Sequence, residues 1–314
     1  DFVASGTIPN GATVILKEDG KVGIITQTGT GDPSAGTPAV YQSNSCYDQS
    51  AVYDSNAGKV VIAYRKLDSV NTGQAVVGTV SGNSISFGTP VEFESGGSAI
   101  NISLVYDPVN QKVVLIYEDD TNSDYGTALV GTVSGTSISF GTPVIFESAA
   151  VNYCDAAYDS TNGKVVIAYR DDGNSSNGTA IVGAVSGNTI TFGSPVVFNT
   201  GTNNYIRITD VSNGKVVISY RDYNNSSYGT AIVGTVSGST ITFGSSVVYN
   251  SGTITFNDIT YDSTNDKVVI AYRDTGNSNY GTAVVGTVSG TSISFGTPVV
   301  FSDNRAIQKL SATF

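Results

Sequence analysis

The stretch YDSTNGKVVIAYR, residues 158–170, decides the reading of the whole chain. It returns as YDSNAGKVVIAYR at 53–65, YDPVNQKVVLIYE at 106–118, TDVSNGKVVISYR at 209–221 and YDSTNDKVVIAYR at 261–273. Each copy is a turn-rich tetrapeptide feeding a run of Val, Ile, Ala and Tyr, the composition of a buried strand entered through a tight turn. The lysines that open these strands, Lys59, Lys112, Lys164, Lys215 and Lys267, are spaced 53, 52, 51 and 52 residues apart. A period near 52 with several strands inside it marks a propeller or a solenoid.

Each unit reads as four strands. In blade 4, strand a is expected over 153–158, b over 164–169, c over 179–185 and d over 189–198. The c–d connection is a short Ser-Gly turn, as at Ser186–Gly187, Ser134–Gly135 and Ser289–Gly290, and so reads as a hairpin. Pro90, Pro143, Pro195 and Pro298 fall in strand d. Proline has no N–H for a ladder, so d is expected at the outer edge of each blade and a nearest the axis.

Five units are complete. The remainder suits a sixth blade shared between the ends: 306–314 (AIQKLSATF) as strand a, 2–6 as b, 12–17 as c, and 21–26 beginning d, which resumes at 36–41. The expected fold is therefore all-β, a single six-bladed β-propeller over residues 1–314, closed by a C-terminal strand joining three N-terminal strands. Its blades are 306–314 plus 1–43, then 44–94, 95–147, 148–199, 200–250 and 251–303. Closure removes the edges an open array exposes; the competing architecture is an open solenoid.

Composition narrows the chemistry. With 0 His there is no Ser-His-Asp triad, Cys-His pair or imidazole metal site. A net charge of −11 argues against a nucleic-acid partner, and no apolar run is long enough for a membrane helix, so no membrane insertion is expected. Cys46 and Cys154 are the only thiols, and they are expected reduced. The start at Asp1 suggests a processed or excised product, with no signal segment visible.

The chain supplies its own comparison. Strands b, c and d are almost copied, as in TAIVGTVSG against TAVVGTVSG, whereas strand a and the residues before it vary: SNSCYDQSAV, SGGSAINISLV, SAAVNYCDAA, TGTNNYIRI, SGTITFNDI, DNRAIQKLSA. In a propeller these positions gather at the channel mouth. The candidate ligand-binding residues are accordingly Asp48, Gln49, Asn101, Tyr153, Asp155, Asn204, Tyr205, Arg207, Asn257, Asp258, Arg305 and Gln308, carried on a fixed scaffold. Tyr153, Tyr205 and Phe256 beside Asn and Asp suit a sugar face or a protein partner. Drift of solvated positions is the alternative explanation of the same variability.

Other motifs read as structural. The Arg–Asp phrases at Arg170–Asp171, Arg221–Asp222 and Arg273–Asp274, with Glu118–Asp119 in blade 3, suit turns more than a carboxylate-gripping ring. Asp54, Asp107, Asp159, Asp210 and Asp262 each open the a–b turn. Asp120, Asn122, Asp124 and Gly126 spell D-x-N-x-D-x-G without the closing Glu of an EF-hand loop. Only Asp155 and Asp258 stand as an acid pair worth testing for glycoside hydrolysis.

FVASGTIPNGATVILKEDGKV at 2–22, followed by tandem KVVIAYRDxxNSxYGTAxVGTVSGxSISFGTPVVF, resembles propeller-like repeats in tail-fibre or appendage proteins of marine and cyanobacterial phages and in environmental bacterial surface proteins. The resemblance implies an extracellular or virion-surface location and a role in attachment. The expectation is a non-enzymatic binding module, without cofactor or metal. It would contact a surface glycan or surface protein through the d–a loops and channel mouth, within a larger fibre or virion. The alternatives are a propeller-fold glycosidase or lyase and a structural spacer.

Overall fold

A computed structural model describes residues 14–16, 22–24, 36–69, 71–302 and 310–313. The chain divides into two compact units, residues 1–38 with 81–84, and 39–80 with 85–314. In the first, Val14–Leu16 and Val22–Ile24 form an antiparallel pair, Val14 opposite Ile24, as a c–d hairpin of the shared blade requires. The expected strands at 2–6 and most of 306–314 lie outside the described residues.

The second unit carries the repeats. Lys59–Lys66, Lys112–Asp119, Lys164–Asp171, Lys215–Asp222 and Lys267–Asp274 are the b strands. Each pairs antiparallel with strand a before it and strand c after it. Their continuous apolar runs follow from burial on both faces. In blade 4, Val165, Ile167 and Tyr169 pack into a core shared with blade 3, while Val166 and Ala168 pack into one shared with blade 5. The core is thus a series of inter-blade layers, and a fully buried Ile167 stabilises its layer by roughly 1.5–3 kcal/mol.

An aromatic stack recurs in every layer. Phe146, from strand d of blade 3, packs its ring 5.3 Å from Tyr169 and 6.0 Å from Phe192. Phe93, Phe198 and Tyr249 repeat the arrangement on Tyr117, Tyr220 and Tyr272. Tyr41, which the sequence assigns to blade 1, does the same against Tyr64 and Phe87. The ring approaches so closely that a Cβ at Gly178 would overlap Phe198; this close approach is why glycine stands first or second in each of the five c strands.

Strand d differs from the expectation. It is two short strands, Thr189–Phe192 and Val196–Asn199 in blade 4, both pairing with strand c, Asn177–Ser186. Pro195 sits in the interruption between them, where no ladder N–H is required, and Gly193 N–H donates to Val182 O at 2.9 Å. The c–d turns are tight, with Gly187 at φ 59°, a value glycine adopts without steric cost.

The d–a connections also depart from the loops expected. Val144–Asp159 and Val247–Asp262 are single strands that run from d of one blade into a of the next. Elsewhere the link is short, between Val91–Glu94 and Ala99–Asp107 and between Val196–Asn199 and Asn203–Asp210.

Candidate functional site

Every described strand a carries the same irregularity. Its pairing with strand b skips two residues, between Tyr47 and Ser50, Ile100 and Ser103, Asn152 and Asp155, Asn204 and Arg207, and Thr255 and Asp258. The first skipped residue is left-handed in all five: Asp48, Asn101, Tyr153, Tyr205 and Phe256, at φ between 49° and 53°. Asp and Asn tolerate that region, but Tyr and Phe pay about 1–2 kcal/mol for it. A bulge re-aims a side chain out of the pleat, and backbone strain of this kind concentrates at functional positions.

The bulges converge on one cavity of about 590 Å³ lined from five strands a and by Leu310 and Ser311. Of the sequence candidates, Asp48, Gln49, Asn101, Tyr153, Asp155, Tyr205, Arg207, Asn257 and Asp258 line it. Asn204 does not. It is buried, and its Oδ1 accepts a 2.6 Å hydrogen bond from Arg170 Nη1. Arg305 and Gln308 lie outside the described residues. Phe256, absent from the candidate set, belongs to the cavity wall.

The wall has two characters. Tyr153, Tyr205 and Phe256 form a continuous aromatic arc, with ring centroids 5.3 and 5.6 Å apart. The penultimate residue of strand b braces each ring: Arg170 stands 5.1 Å from the Tyr153 centroid, Arg221 4.9 Å from Tyr205 and Arg273 5.8 Å from Phe256, cation–π geometry in each case. In blades 2 and 3 the same pair of positions is polar. Arg65 Nη2 lies 2.8 Å from Asp48 Oδ2, and Asn101 Nδ2 donates to Glu118 Oε2 at 2.7 Å. Burial pushes the Glu118 carboxyl up to about 7, against the Asn101 bond that favours its charge.

The acid pair is committed to structure. Asp155 Oδ1 accepts from Ser103 Oγ at 2.8 Å and Oδ2 from Ile208 N–H at 3.1 Å. Asp258 Oδ1 accepts from Ile259 N–H at 2.9 Å and Oδ2 from Ala312 N–H at 2.6 Å. Asp155 therefore ties the strands a of blades 3, 4 and 5 together, and Asp258 holds residue 312 while lying 3.9 Å from Arg207 Nε. Cys46 and Cys154 are free; Cys154 Sγ donates to Asn101 O at 3.0 Å, and burial raises its thiol pKa.

The a–b aspartates also divide. Asp54, Asp107, Asp159 and Asp262 accept backbone N–H bonds two and three residues on, as Asp159 does from Thr161 and Asn162. Asp210 does not share their place. The pairing of Asp155 with Ala168 and of Arg207 with Ser219 aligns it with Tyr158, and the blade 5 turn is one residue shorter. Asp210 Oδ2 accepts from Ser160 Oγ at 2.7 Å in the neighbouring blade, much as Tyr106 Oη accepts from Asn56 N–H. At the D-x-N-x-D-x-G stretch, Asp120–Asn122 is a 3-10 turn and Gly126 lies inside strand c. Among the described residues no acidic, Cys or His cluster suited to a metal is found.

No protein-family model matches the sequence, and no curated protein matches it either. The phage-appendage resemblance thus gains no support from those comparisons. Solved structures do match in shape. The BP39L lectin of Burkholderia pseudomallei superposes with a TM-score of 0.59 at 10% identity, over 81% of this chain and 70% of that one. NanB, in a structure with Optactamide, gives 0.53 at 10% identity over 82% of this chain and 61% of NanB. A fungal lectin of Aleuria aurantia, a six-bladed β-propeller with a fucose recognition mode, gives 0.50 at 12% identity over 85% and 84%. The likeness is one of fold: the chain is all-β and built like the lectin β-propellers.

Proposed function

We propose that this protein is a non-enzymatic carbohydrate-binding module that recognises a surface glycan at the cavity ringed by the strand-a bulges. The observation that carries the reading is the strained arc of Tyr153, Tyr205 and Phe256, φ 49–53°, facing a cavity whose wall also holds the polar side chains of Asp48, Gln49, Asn101, Arg207 and Asn257. Aromatic faces stack on the C–H face of a sugar while amide and carboxylate groups bond its hydroxyls. The lectin neighbours support the reading. Commitment of Asp155 and Asp258 to inter-blade bonds weighs against hydrolysis. Attachment at a cell or virion surface, within a larger assembly, is the setting in which such a module works.

The reading includes closure into six blades with the boundaries set out above. One described end supports it. Ala312 N–H bonds Asp258 just as Ile208 N–H bonds Asp155, so 310–313 follows the register of a sixth strand a.

A glycan array probed with the labelled protein tests the function. Binding of defined glycans by the wild type, lost in Tyr205→Ala, is expected. Absence of any bound glycan, or binding indifferent to Tyr205→Ala and Phe256→Ala, would overturn it.

A further inference from the structure

Four of the five complete blades carry arginine as the penultimate residue of strand b, and three of those guanidinium groups already have an acceptor, although Arg65 Nε is itself buried without a partner. Arg170 gives Nε and Nη2 to Asp172 at 2.6 and 2.9 Å and Nη1 to Asn204 at 2.6 Å. Arg65 is paired with Asp48 at 2.8 Å, and Arg273 Nε donates to Asn279 at 3.0 Å. Arg221 differs. Among the described residues its guanidinium makes no hydrogen bond or ion pair; its Nε is buried without a partner, and its carbon stands 4.9 Å from the Tyr205 ring centroid.

The sequence explains the vacancy. Blade 4 reads Arg170-Asp171-Asp172, whereas blade 5 reads Arg221-Asp222-Tyr223, so a tyrosine stands where the clamping carboxylate should be. Asp222 is spent within its own turn, accepting from Asn224 and Asn225 N–H at 3.1 Å each. The position that supplies Asn204 to Arg170 supplies Thr255 to Arg221, and Thr255 Oγ1 is itself buried and unpaired. Tyr223 is 59% exposed.

We propose that Arg221 is the subsite for a carboxylate-bearing sugar, a uronic-acid residue of the glycan bound at the aromatic arc. This rests on the glycan-binding reading above. A guanidinium standing over an aromatic ring is held in place by cation–π attraction, and a fork with free donors takes a carboxylate through two parallel N–H···O bonds. Leaving such a group buried without a partner is costly, so a ligand that supplies the missing acceptors gains more here than at the filled arginines. The adjoining Tyr205 and Phe256 rings, 5.6 Å apart, provide the face for the sugar ring.

The test is a comparison of methyl glucuronide with methyl glucoside by NMR titration of the full chain. The glucuronide is expected to bind at least tenfold more tightly, ~1.4 kcal/mol, and Arg221→Gln should erase that preference. Tyr223→Asp, which rebuilds the blade 4 clamp, should erase it too, while Tyr223→Asn should keep it; thermal melts confirm that the variants fold. Equal affinity for the two glycosides overturns the subsite while leaving glycan binding intact. A glucuronide preference unchanged in Arg221→Gln overturns it equally, as does an oligo-aspartate peptide that binds in an Arg221-dependent way as tightly as the glucuronide. Failure of both glycosides together with a blank glycan array overturns the glycan reading and the subsite with it.

Discussion

Replacing Glu118 with glutamine is expected to stabilise the protein at pH 8 and to leave its stability at acid pH almost unchanged. Glu118 stands where the other complete blades place arginine, is 7% exposed, and receives the 2.7 Å bond from Asn101 Nδ2. Burial raises its carboxyl to about 7, the Asn101 bond opposes the rise, and Asp124, Asp172 and Asp48 add to it. In the unfolded chain the group titrates near ~4.3. Below that value both states hold the proton and the group has no effect on the balance. Between it and about 7 the native state keeps a proton that the unfolded state has released, so stability falls by about 1.4 kcal/mol per pH unit. Above about 7 both states are ionised and the full penalty, about 4 kcal/mol, persists. Glutamine keeps an oxygen for Asn101 and carries no charge. Urea unfolding of both proteins from pH 4 to pH 8 should give a stability difference near zero at the acid end, growing to about 4 kcal/mol in favour of the variant. A difference that is flat with pH, or that grows on acidification, refutes the reasoning.

The inter-blade carboxylates give a second expectation. Asp155→Ala leaves Ser103 Oγ and Ile208 N–H without their acceptor, so unfolding free energy should fall by about 2–4 kcal/mol; a loss under about 0.5 kcal/mol in denaturant melts would contradict the role. Removing residues 310–314 takes away the Ala312 donor to Asp258, and a loss of about 2 kcal/mol is expected, with an unchanged melting curve as the contrary result. Gly178→Ala drives a Cβ into the Phe198 ring and should cost about 1–3 kcal/mol, more than Gly276→Ala, whose Cβ would meet Asp274 Oδ1 at 3.3 Å and Gly252 Cα at 3.9 Å. Parallel melts of the two variants check the order.

Much of the scaffold is legible in the sequence because its physical causes are repetitive. The b strands are buried on both faces, so KVVIAYR shows an unbroken apolar run; the c–d turns need a positive φ, so glycine marks them. The bulge in strand a has no such marker, since Asp48, Asn101, Tyr153, Tyr205 and Phe256 share a backbone conformation and not a residue type. Only variability against copied neighbours reveals the region. That signal finds most of the cavity wall but cannot separate Asn204, turned inward to Arg170, from Tyr205 beside it. It also marks Phe256 as an aromatic of the region without placing it among the candidate residues, where the cavity wall includes it. The shortened turn of blade 5 is hidden because TDVSNGKVVISYR aligns letter for letter with its siblings while the pairing register places Asp210 opposite the role of Tyr158. Proline marked strand d as an edge correctly in its chemistry, yet at Pro195 the ladder is interrupted, so the residue sits in a gap and not on the edge itself.

The central claim is that the bulged positions of strand a form the recognition surface. Titrating an array-identified glycan into isotopically labelled protein tests it most directly. The account predicts that the largest chemical-shift changes fall on Tyr153, Tyr205 and Phe256 and on the Asn257 and Arg207 signals beside them. Changes confined to the c–d turns around Gly187 and Gly238, with the aromatic arc silent, would contradict it.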